Sequence, residues 1–409
     1  MSRLLERFLR YVQVDTTACE GAEAYPSSPG QLELGRMLVE ELRGMGLAAE
    51  QDAHGLVLAT LPSKGGRQAP AIAFNAHLDT SPETTGAGVK PQVWRAYNGQ
   101  DLVLPGDPSK VLRVAENPEL ASLRGCTLIT TDGTTLLGAD DKAGVAVIME
   151  AAERLCETPT LPHGPLRLLF TCDEEIGRGV DFVDISRLDA AACYTLDGHA
   201  ADEIDVETFS ADLAVVTIRG VNIHPSIAKG RMVNAVRAAA DFLARLPRTR
   251  LAPEHAEGRE GFLHPYAIHG GVAEVVLRIL LRDFETPALS QYAALLESAA
   301  RATQVAFPGC RISVDIRPQY RNMREGLARE PRAVAYAEEA MRRVGRTPKL
   351  TVVRGGTDGS RLTELGLPTP NLSTGEHNPH SVLEWTCLEE MELAVRVVLA
   401  LCAVWAERG

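Results

Sequence analysis

Apolar residues recur at helical spacing over the first part of the chain. In residues 4–12, and in residues 31–45 with Leu34, Leu38 and Leu42, they return every three or four positions. This spacing predicts two amphipathic helices, which are separated by a segment rich in glycine, proline and serine. Short apolar runs at 71–76, 166–171 and 192–196 then predict strands, and residues 140–155 predict a helix. Near-continuous apolar strands alternating with helices are typical of an α/β sheet that is covered by helices on both faces.

The pattern changes near residue 210. Strands are predicted at 213–218, 272–281 and 311–316, and helices are predicted between them at 232–246 and 287–306. This β-α-β-α-β stretch is complete in itself and could form a small α+β domain. After it, helices and strands alternate again in the segments 332–344, 350–353, 371–373 and 388–404. We therefore predict an α/β domain made of residues 1–209 and 319–409, interrupted by an inserted α+β domain at 210–318.

Composition and charge argue against several classes of protein. The chain has 409 residues, 45% of them hydrophobic, and a formal net charge of −12. This acidic balance argues against a nucleic-acid binder and against a protein that binds anionic membranes. The eight cysteines form no CxxC pair, so we expect reduced core residues and neither a disulfide framework nor a thiolate zinc site. No apolar run approaches the roughly 20 residues that span a bilayer, and charges interrupt the N-terminal segment. We expect a cytoplasmic location.

Ionisable side chains follow the predicted strands at the point where each strand ends. His77 and Asp79 follow the first strand, residues 173–175 (DEE) follow the second, and Asp197 follows the third. Ligands of open α/β sheets bind outside the carboxyl ends of the strands, so these side chains are candidates for one site. Each cluster also has a structural interpretation. His-x-Asp alone is a weak signal, and a run of acids is usually a solvated loop.

Asp140 has a structural alternative of its own. It opens the predicted helix 140–155, where a carboxylate can act as an N-cap without any ligand. Two features weaken this alternative: a second aspartate, Asp141, follows at once, and a long turn-rich segment precedes them.

Taken together, the clusters indicate a metal centre. Crowded carboxylates repel one another unless a cation lies among them. With His380, near the C-terminal end, the set contains two histidines, several carboxylates and no thiolate. Such nitrogen and oxygen donors suit two divalent ions such as zinc, cobalt or manganese. The chain has no GxSxG, GxxxxGK[ST] or HExxH motif, and we interpret residues 355–359 (GGTDG) as a tight turn.

Several segments, taken in order, resemble the peptidase T family of aminotripeptidases, within the wider di-zinc superfamily of aminoacylases and carboxypeptidases. They are residues 75–80 (NAHLDT), 128–144 (LITTDGTTLLGADDKAG), 170–179 (FTCDEEIGRG), 194–198 (YTLDG), 224–225 (HP), 232–235 (MVNA), 281–284 (LRDF) and 354–359 (RGGTDG). The resemblance extends from the first helix to the last. It implies a mixed-sheet α/β di-zinc exopeptidase domain with helices on both faces, plus an inserted small α+β lid domain.

The resemblance also implies roles for individual residues. The metal ligands would be His77, Asp140, Glu175, Asp197 and His380, with Asp140 bridging two Zn²⁺ per subunit, for which Co²⁺ or Mn²⁺ could substitute. Glu174 would be the general base and Asp79 would orient the His77 imidazole. His224, Arg282 and Arg354 would contact the substrate, with His224 near the scissile carbonyl and Arg282 on the terminal carboxylate. The implied partner is a short peptide, chiefly a tripeptide, and a homodimer is possible.

Two departures from the family pattern leave alternatives open. His199 stands where the family commonly has glycine, and residues 375–385 (GEHNPHSVLEW) follow the wider superfamily's His-Ser-x-x-Glu pattern. His377 therefore competes with His380 as a ligand, and we favour His380 because Ser-x-x-Glu follows it. These departures weaken a strict tripeptide preference. A metal-dependent dipeptidase or an N-acyl amino acid deacylase is the alternative activity. A non-enzymatic binding protein ranks lower, because no expected ligand is missing.

Overall fold

The computed structural model describes residues 2–63 and 69–409, and its chain divides into two units. Unit 1 comprises Met1–Val206, Met323–Val352 and Thr357–Gly409. Unit 2 comprises Glu207–Asn322 and Val353–Gly356. Unit 2 thus extends slightly beyond the predicted insertion 210–318 at both ends, and it also includes a short return segment that contains Arg354.

The helices and strands are numbered in chain order. The helices are α1 (Arg3–Tyr11), α2 (Pro29–Gly44), α3 (Ala139–Glu157), α4 (Ile185–Leu188), α5 (Ala235–Ala244), α6 (Thr286–Ala306), α7 (Arg324–Leu327), α8 (Arg332–Arg343), α9 (Asp358–Glu364) and α10 (Leu388–Arg408). The strands are β1 (Ala48–Gln51), β2 (Val57–Leu61), β3 (Ile72–His77), β4 (Gln92–Trp94), β5 (Leu102–Val103), β6 (Val111–Leu112), β7 (Leu128–Thr130), β8 (Leu166–Thr171), β9 (Ala192–His199), β10 (Glu203–Thr208), β11 (Ser210–Arg219), β12 (Phe262–Gly270), β13 (Glu274–Asp283), β14 (Arg311–Tyr320), β15 (Lys349–Val353), β16 (Asn371–His377) and β17 (Trp385–Cys387).

An eleven-stranded mixed sheet forms the centre of unit 1. Its strand order is β1-β2-β8-β3-β9-β16-β17-β7-β4, with β10 beside β16 and β15 beside β10. The central strands β8, β3, β9 and β16 are parallel, whereas the flanking pairs are antiparallel. The carboxyl ends of the four parallel strands therefore lie along one edge of the sheet. This architecture confirms the predicted α/β class with a mixed sheet.

The core of unit 1 is continuous from its first helix to its last. Apolar residues of α1, α2, α3 and α10 pack together with those of the central strands. One polar chain crosses this core: Trp405 Nε1 donates to the Tyr194 hydroxyl over 2.8 Å, and that hydroxyl donates to the Ala333 carbonyl over 2.9 Å. The polar atoms of these large buried side chains are thereby satisfied, as burial requires.

Unit 2 is a four-stranded antiparallel sheet with helices α5 and α6 against one face. The strand order is β12-β13-β11-β14. The prediction of three strands was wrong, because β12 was not recognised. Burial alternates along β13: Val275, Leu277, Ile279 and Leu281 are buried with residues of the two helices, and Arg282 points to the opposite face.

All eight cysteines are free thiols, as the sequence predicted. Within the described residues, no helix has the length and apolar character needed to cross a membrane.

Candidate active site

The imidazole of His77 lies at the carboxyl end of β3, next to two carboxylates. All six residues of β3 are buried, which places His77 at the edge of the sheet with only 2% of its surface exposed. Its Nε2 is 3.0 Å from Asp140 Oδ1 and 3.8 Å from Asp197 Oδ1. The donor atoms of His77, Asp140 and Asp197 all lie within 4.8 Å of one another. These residues form a first group that could hold a cation.

A second donor group shares Asp140 with the first. His380 Nε2 lies 3.3 Å from Asp140 Oδ2 and 2.9 Å from Glu175 Oε2. Again the donor atoms of the group are within 4.8 Å of one another. Because the two oxygens of Asp140 face different groups, its carboxylate can lie between two cations. The structure thus brings together the five residues that the sequence proposed as ligands.

Asp79 positions the segment that carries both glutamates. Its Oδ1 accepts the backbone N–H of Glu174 over 3.0 Å, and its Oδ2 accepts that of Glu175 over 3.1 Å. The same carboxylate lies 3.3 Å from His77 Nδ1, and the Asp79 carbonyl lies 3.1 Å from that nitrogen. The predicted contact with His77 is therefore present, and a connection to β8 is added to it.

Glu384 holds the segment before Asp140 in place, a role that the sequence did not suggest. Its carboxylate accepts backbone N–H groups from Leu137 over 2.7 Å, Gly138 over 2.8 Å and Asp140 over 3.1 Å. The residue is 1% exposed. Burial raises the pKa of Glu384 to about 7 against the opposing effect of these hydrogen bonds. The available signal was its position in the Ser-x-x-Glu motif after His380.

The structure does not use Asp140 as a helix cap. Asp141 Oδ1 accepts the N–H of Gly144 over 3.1 Å, as a cap does, and Asp141 Oδ2 accepts the N–H of His77 over 2.9 Å. Asp140 has φ −78° and ψ 102°, which are not helical values, and its carboxylate faces the two imidazoles. The adjacent aspartates therefore have different tasks.

Asp173 is likewise separate from the two glutamates that follow it. Its carboxylate is fully buried and accepts hydrogen bonds from Ser27 N over 2.7 Å and from Gln31 Nε2 over 2.7 Å. The run of three acids is thus not a solvated loop. One member holds the segment before α2, and Glu174 and Glu175 turn towards the donor groups.

The electrostatics of the site favour a bound cation. Burial and the neighbouring Asp140 charge raise the pKa of Glu175 to about 7, and burial also raises the pKa of Glu174 and Asp197. Burial works in the same direction on Asp140, but hydrogen bonds from His380 and His77 lower its pKa. Glu175 Oε1 is buried without a hydrogen-bond partner among the described residues. Imidazole nitrogens, carboxylate oxygens and one orphaned oxygen fit a pair of divalent ions.

The three residues predicted to contact substrate belong to unit 2. His224 is exposed, and its Nδ1 accepts the Ser226 N–H over 3.3 Å, so the neutral ring carries its proton on Nε2. Arg282 Nε is buried and has no hydrogen-bond partner among the described residues. Arg354 donates to the Gly258 carbonyl over 2.7 Å and lies 5.8 Å from the Phe262 ring centre, so its guanidinium is partly engaged within unit 2. Their roles remain predictions.

Of the two alternative histidines that the sequence offered, His377 and His199, neither belongs to a donor group among the described residues. His377 stacks on Trp385 with ring centres 3.7 Å apart, and its Nε2 is 2.9 Å from Glu390 Oε2. His199 is exposed at the end of β9. The structure brings His380 to the site, and His377 is instead part of the packing around β17.

The chain is similar to known peptidases in sequence and in fold. The model of peptidase family M20/M25/M40 matches residues 131–403. A peptidase T from Brevibacillus brevis is 44% identical over 409 residues, covering 100% of both chains. The crystal structure of aminopeptidase PepT from Bacillus cereus has a TM-score of 0.76 at 26% identity, covering 99% of this chain and 98% of that one. A dinuclear metal-binding M20 peptidase from Bacillus subtilis has a TM-score of 0.65 at 15% identity, covering 99% and 98%, and shows the fold alone.

We predict that Glu384→Gln weakens metal binding by roughly 10- to 100-fold, the range that changes in the groups supporting metal ligands cause. The amide presents N–H where the carboxylate accepted three backbone N–H groups, so the segment of Asp140 loses its anchor. Elemental analysis after dialysis against metal buffers measures the change. Glu40→Gln is the control, because Glu40 is exposed on α2 and has no hydrogen bond or ion pair with a donor residue in the described structure, so it should leave affinity unchanged. Wild-type affinity in Glu384→Gln would show that Asp140 is positioned by other contacts.

Proposed function

The chain belongs to peptidase family M20/M25/M40, and on this basis we propose that it is a metal-dependent aminopeptidase that releases the N-terminal residue of tripeptides. The observation that carries the proposal is the pair of donor groups that share Asp140, with Glu174 adjacent to Glu175 in the chain and held through its backbone N–H by Asp79. Glu174 belongs to neither group, and its carboxylate accepts no hydrogen bond from the described residues. A half-buried acid next to a metal centre that is not itself a ligand suits general base catalysis.

The catalytic steps follow from the placement of these side chains. His77, Asp140 and Asp197 would hold one ion, and Asp140, Glu175 and His380 would hold the other. A bound ion pair polarises the peptide carbonyl and lowers the pKa of a water molecule. The Glu174 carboxylate would accept the proton of the attacking water as the new C–O bond forms. It would then deliver that proton to the leaving amine nitrogen as the C–N bond breaks.

We propose that three residues of unit 2 bind the substrate peptide. We assign the terminal carboxylate of the substrate to Arg282, because a guanidinium fork matches a carboxylate and the Arg282 Nε is unused. His224 Nε2–H is a suitable donor for the oxygen that gains charge during attack. Arg354 is the third residue of unit 2 that we assign to substrate binding. Recognition of both peptide ends would select substrates by length.

We propose two Zn²⁺ per chain, with Co²⁺ or Mn²⁺ as substitutes, because the donor set contains only nitrogen and oxygen. The proposed location is the cytoplasm, and the proposed assembly is a homodimer. A dipeptidase or N-acyl amino acid deacylase remains the alternative that the substrate assay distinguishes.

The direct test is hydrolysis of matched peptides by the zinc- or cobalt-loaded protein. We expect tripeptides to be cleaved faster than dipeptides and tetrapeptides, with release of the N-terminal residue, and N-acetylated tripeptides to be resistant. Amino-acid analysis of the products gives both rate and position of cleavage. Preferred cleavage of the acetylated forms would indicate a deacylase, and preferred cleavage of dipeptides would indicate a dipeptidase.

Glu174→Gln should lower kcat by about 10²- to 10⁴-fold, the usual contribution of a general base. The substitution keeps the shape of the side chain and leaves every donor group intact, so metal content should stay at the wild-type level. Glu175→Gln is the matched comparison and should lose metal, because Glu175 belongs to the His380 group. If Glu174→Gln loses metal but keeps its activity per bound ion, the two glutamates have been assigned in reverse.

Arg282→Ala should raise KM for free tripeptides by roughly 10- to 100-fold, which corresponds to the loss of one charge-assisted hydrogen bond. The variant should also barely distinguish a tripeptide from its C-terminal amide. Arg278→Ala is the control, because Arg278 lies on the same face of β13 four residues earlier. Steady-state kinetics on acid and amide pairs measure both effects. Equal cleavage of acids and amides by the wild type would exclude Arg282 as the carboxylate contact.

A further inference from the structure

Two cysteines that are distant in the sequence meet where β7 and β17 pair. Cys387 is opposite Leu128 in the antiparallel register. The pairing continues beyond the strands, because Leu388 N–H donates to the Thr127 carbonyl over 3.0 Å. Cys126 therefore lies diagonally from Cys387 on the same face of the ladder. The sequence predicted no thiolate site, because neither cysteine has a second cysteine nearby in the chain.

Glu389 completes a set of three donors. Its Oε2 accepts the backbone N–H of Thr127 over 2.8 Å and lies 3.4 Å from Cys387 Sγ. The sulfur atoms of Cys126 and Cys387 and a carboxylate oxygen of Glu389 are all within 4.8 Å of one another. Tetrahedral zinc with ordinary bond lengths separates sulfur from oxygen by about 3.5 Å and sulfur from sulfur by about 3.8 Å. The three donors are thus already close to the spacing that coordination needs.

We propose that Cys126, Cys387 and Glu389 form a binding site for one thiophilic divalent cation, Zn²⁺ in the first place, separate from the two groups around Asp140. Binding forms two metal–sulfur bonds and releases the two thiol protons to solvent. The Glu389 carboxylate supplies the third ligand and balances part of the remaining charge. Three protein ligands leave one tetrahedral position for water.

The burial of the three residues suits entry and retention of an ion. Cys387 is fully buried, Cys126 is half-buried and Glu389 is exposed, so the site opens to solvent on the Glu389 side. Soft sulfur donors select zinc, cadmium or copper(I) over the manganese that oxygen donors accept. This donor set therefore differs in preference from the sulfur-free groups around Asp140.

The placement of the two cysteines disfavours a disulfide between them. Diagonal residues in a ladder have Cα atoms about 7–8 Å apart, wider than the usual disulfide spacing of about 4.4–6.8 Å. Both thiols therefore stay available to a cation.

Cadmium titration of the full-length protein, purified with its own metals, tests the proposal. Cadmium bound through thiolate has an ultraviolet charge-transfer band, which the nitrogen and oxygen ligands around Asp140 cannot produce. We expect the band to saturate at one equivalent per chain and to disappear when Zn²⁺ is added in competition. Elemental analysis should find one more ion per chain than in untreated protein.

Substitutions locate the ion. Cys126→Ser keeps the size of a half-buried side chain and should abolish the one-equivalent band together with the extra ion. Cys19→Ser, at an exposed cysteine, is the matched control and should change neither. Glu389→Gln retains an oxygen for the Thr127 N–H and both sulfurs, so it should keep the band while weakening binding at least about tenfold.

Three outcomes would overturn the proposal. The first is the absence of a thiolate band in wild-type protein at saturating cadmium. The second is a band of equal strength and affinity in Cys126→Ser. The third is a Cys126–Cys387 disulfide, found by mass spectrometry, as the state of the protein purified without reductant, because oxidised cysteines cannot bind the ion. None of these readouts depends on peptidase activity.

Discussion

Repulsion among buried carboxylates at the carboxyl edge of the parallel strands is the constraint around which unit 1 is organised. Two like charges 4 Å apart cost about 4 kcal/mol even at an effective dielectric constant of 20. Two kinds of interaction offset this repulsion. The carboxylates of Asp79, Asp141 and Glu384 each accept two or three backbone N–H groups. Those of Asp140, Glu175 and Asp197 face imidazoles and accept no backbone N–H from the described residues. The second set is the one that needs cations.

The same two environments occur side by side within each run of adjacent acids. In each run, one acid binds the backbone and another faces the imidazoles. Asp141 and Asp173 accept backbone N–H groups, whereas Asp140 and Glu175 face imidazole nitrogens. Asp173 has a left-handed backbone, with φ 62°, which turns its carboxylate towards Ser27 and leaves Glu174 and Glu175 on the other side. The carboxylates that accept backbone N–H groups thus fix the backbone. That fixed backbone holds the carboxylates that face the imidazoles close together.

The sequence predicted the location of the site better than its internal arrangement. Apolar runs identified β3, β8 and the start of β9, because these strands are buried on both faces, and the acids after them could be recognised directly. Which acid of a pair faces the imidazoles depends on local backbone angles, for which residue spacing gives no signal. The supporting role of Glu384 depends on a long-range contact with residues 137–140, and the Ser-x-x-Glu motif marks the residue without indicating which backbone groups it binds. Strand β12 was missed because most of its residues are exposed and carry no apolar periodicity.

Pairs of short strands are the other feature that the pattern of hydrophobic positions does not predict. Strands β7 and β17 have three residues each, yet their pairing lies between the Asp140 site and the two cysteines. Beyond β7 the chain continues into the segment of Asp140, and Glu384 immediately precedes β17. At the opposite end of the same pair lie Cys126 and Cys387. An ion bound there would restrain both strands from the far side, by linkage between binding and the folded state. Because sulfur donors occur at one end and only nitrogen and oxygen donors at the other, the two ends of one strand pair differ in the cations that they prefer.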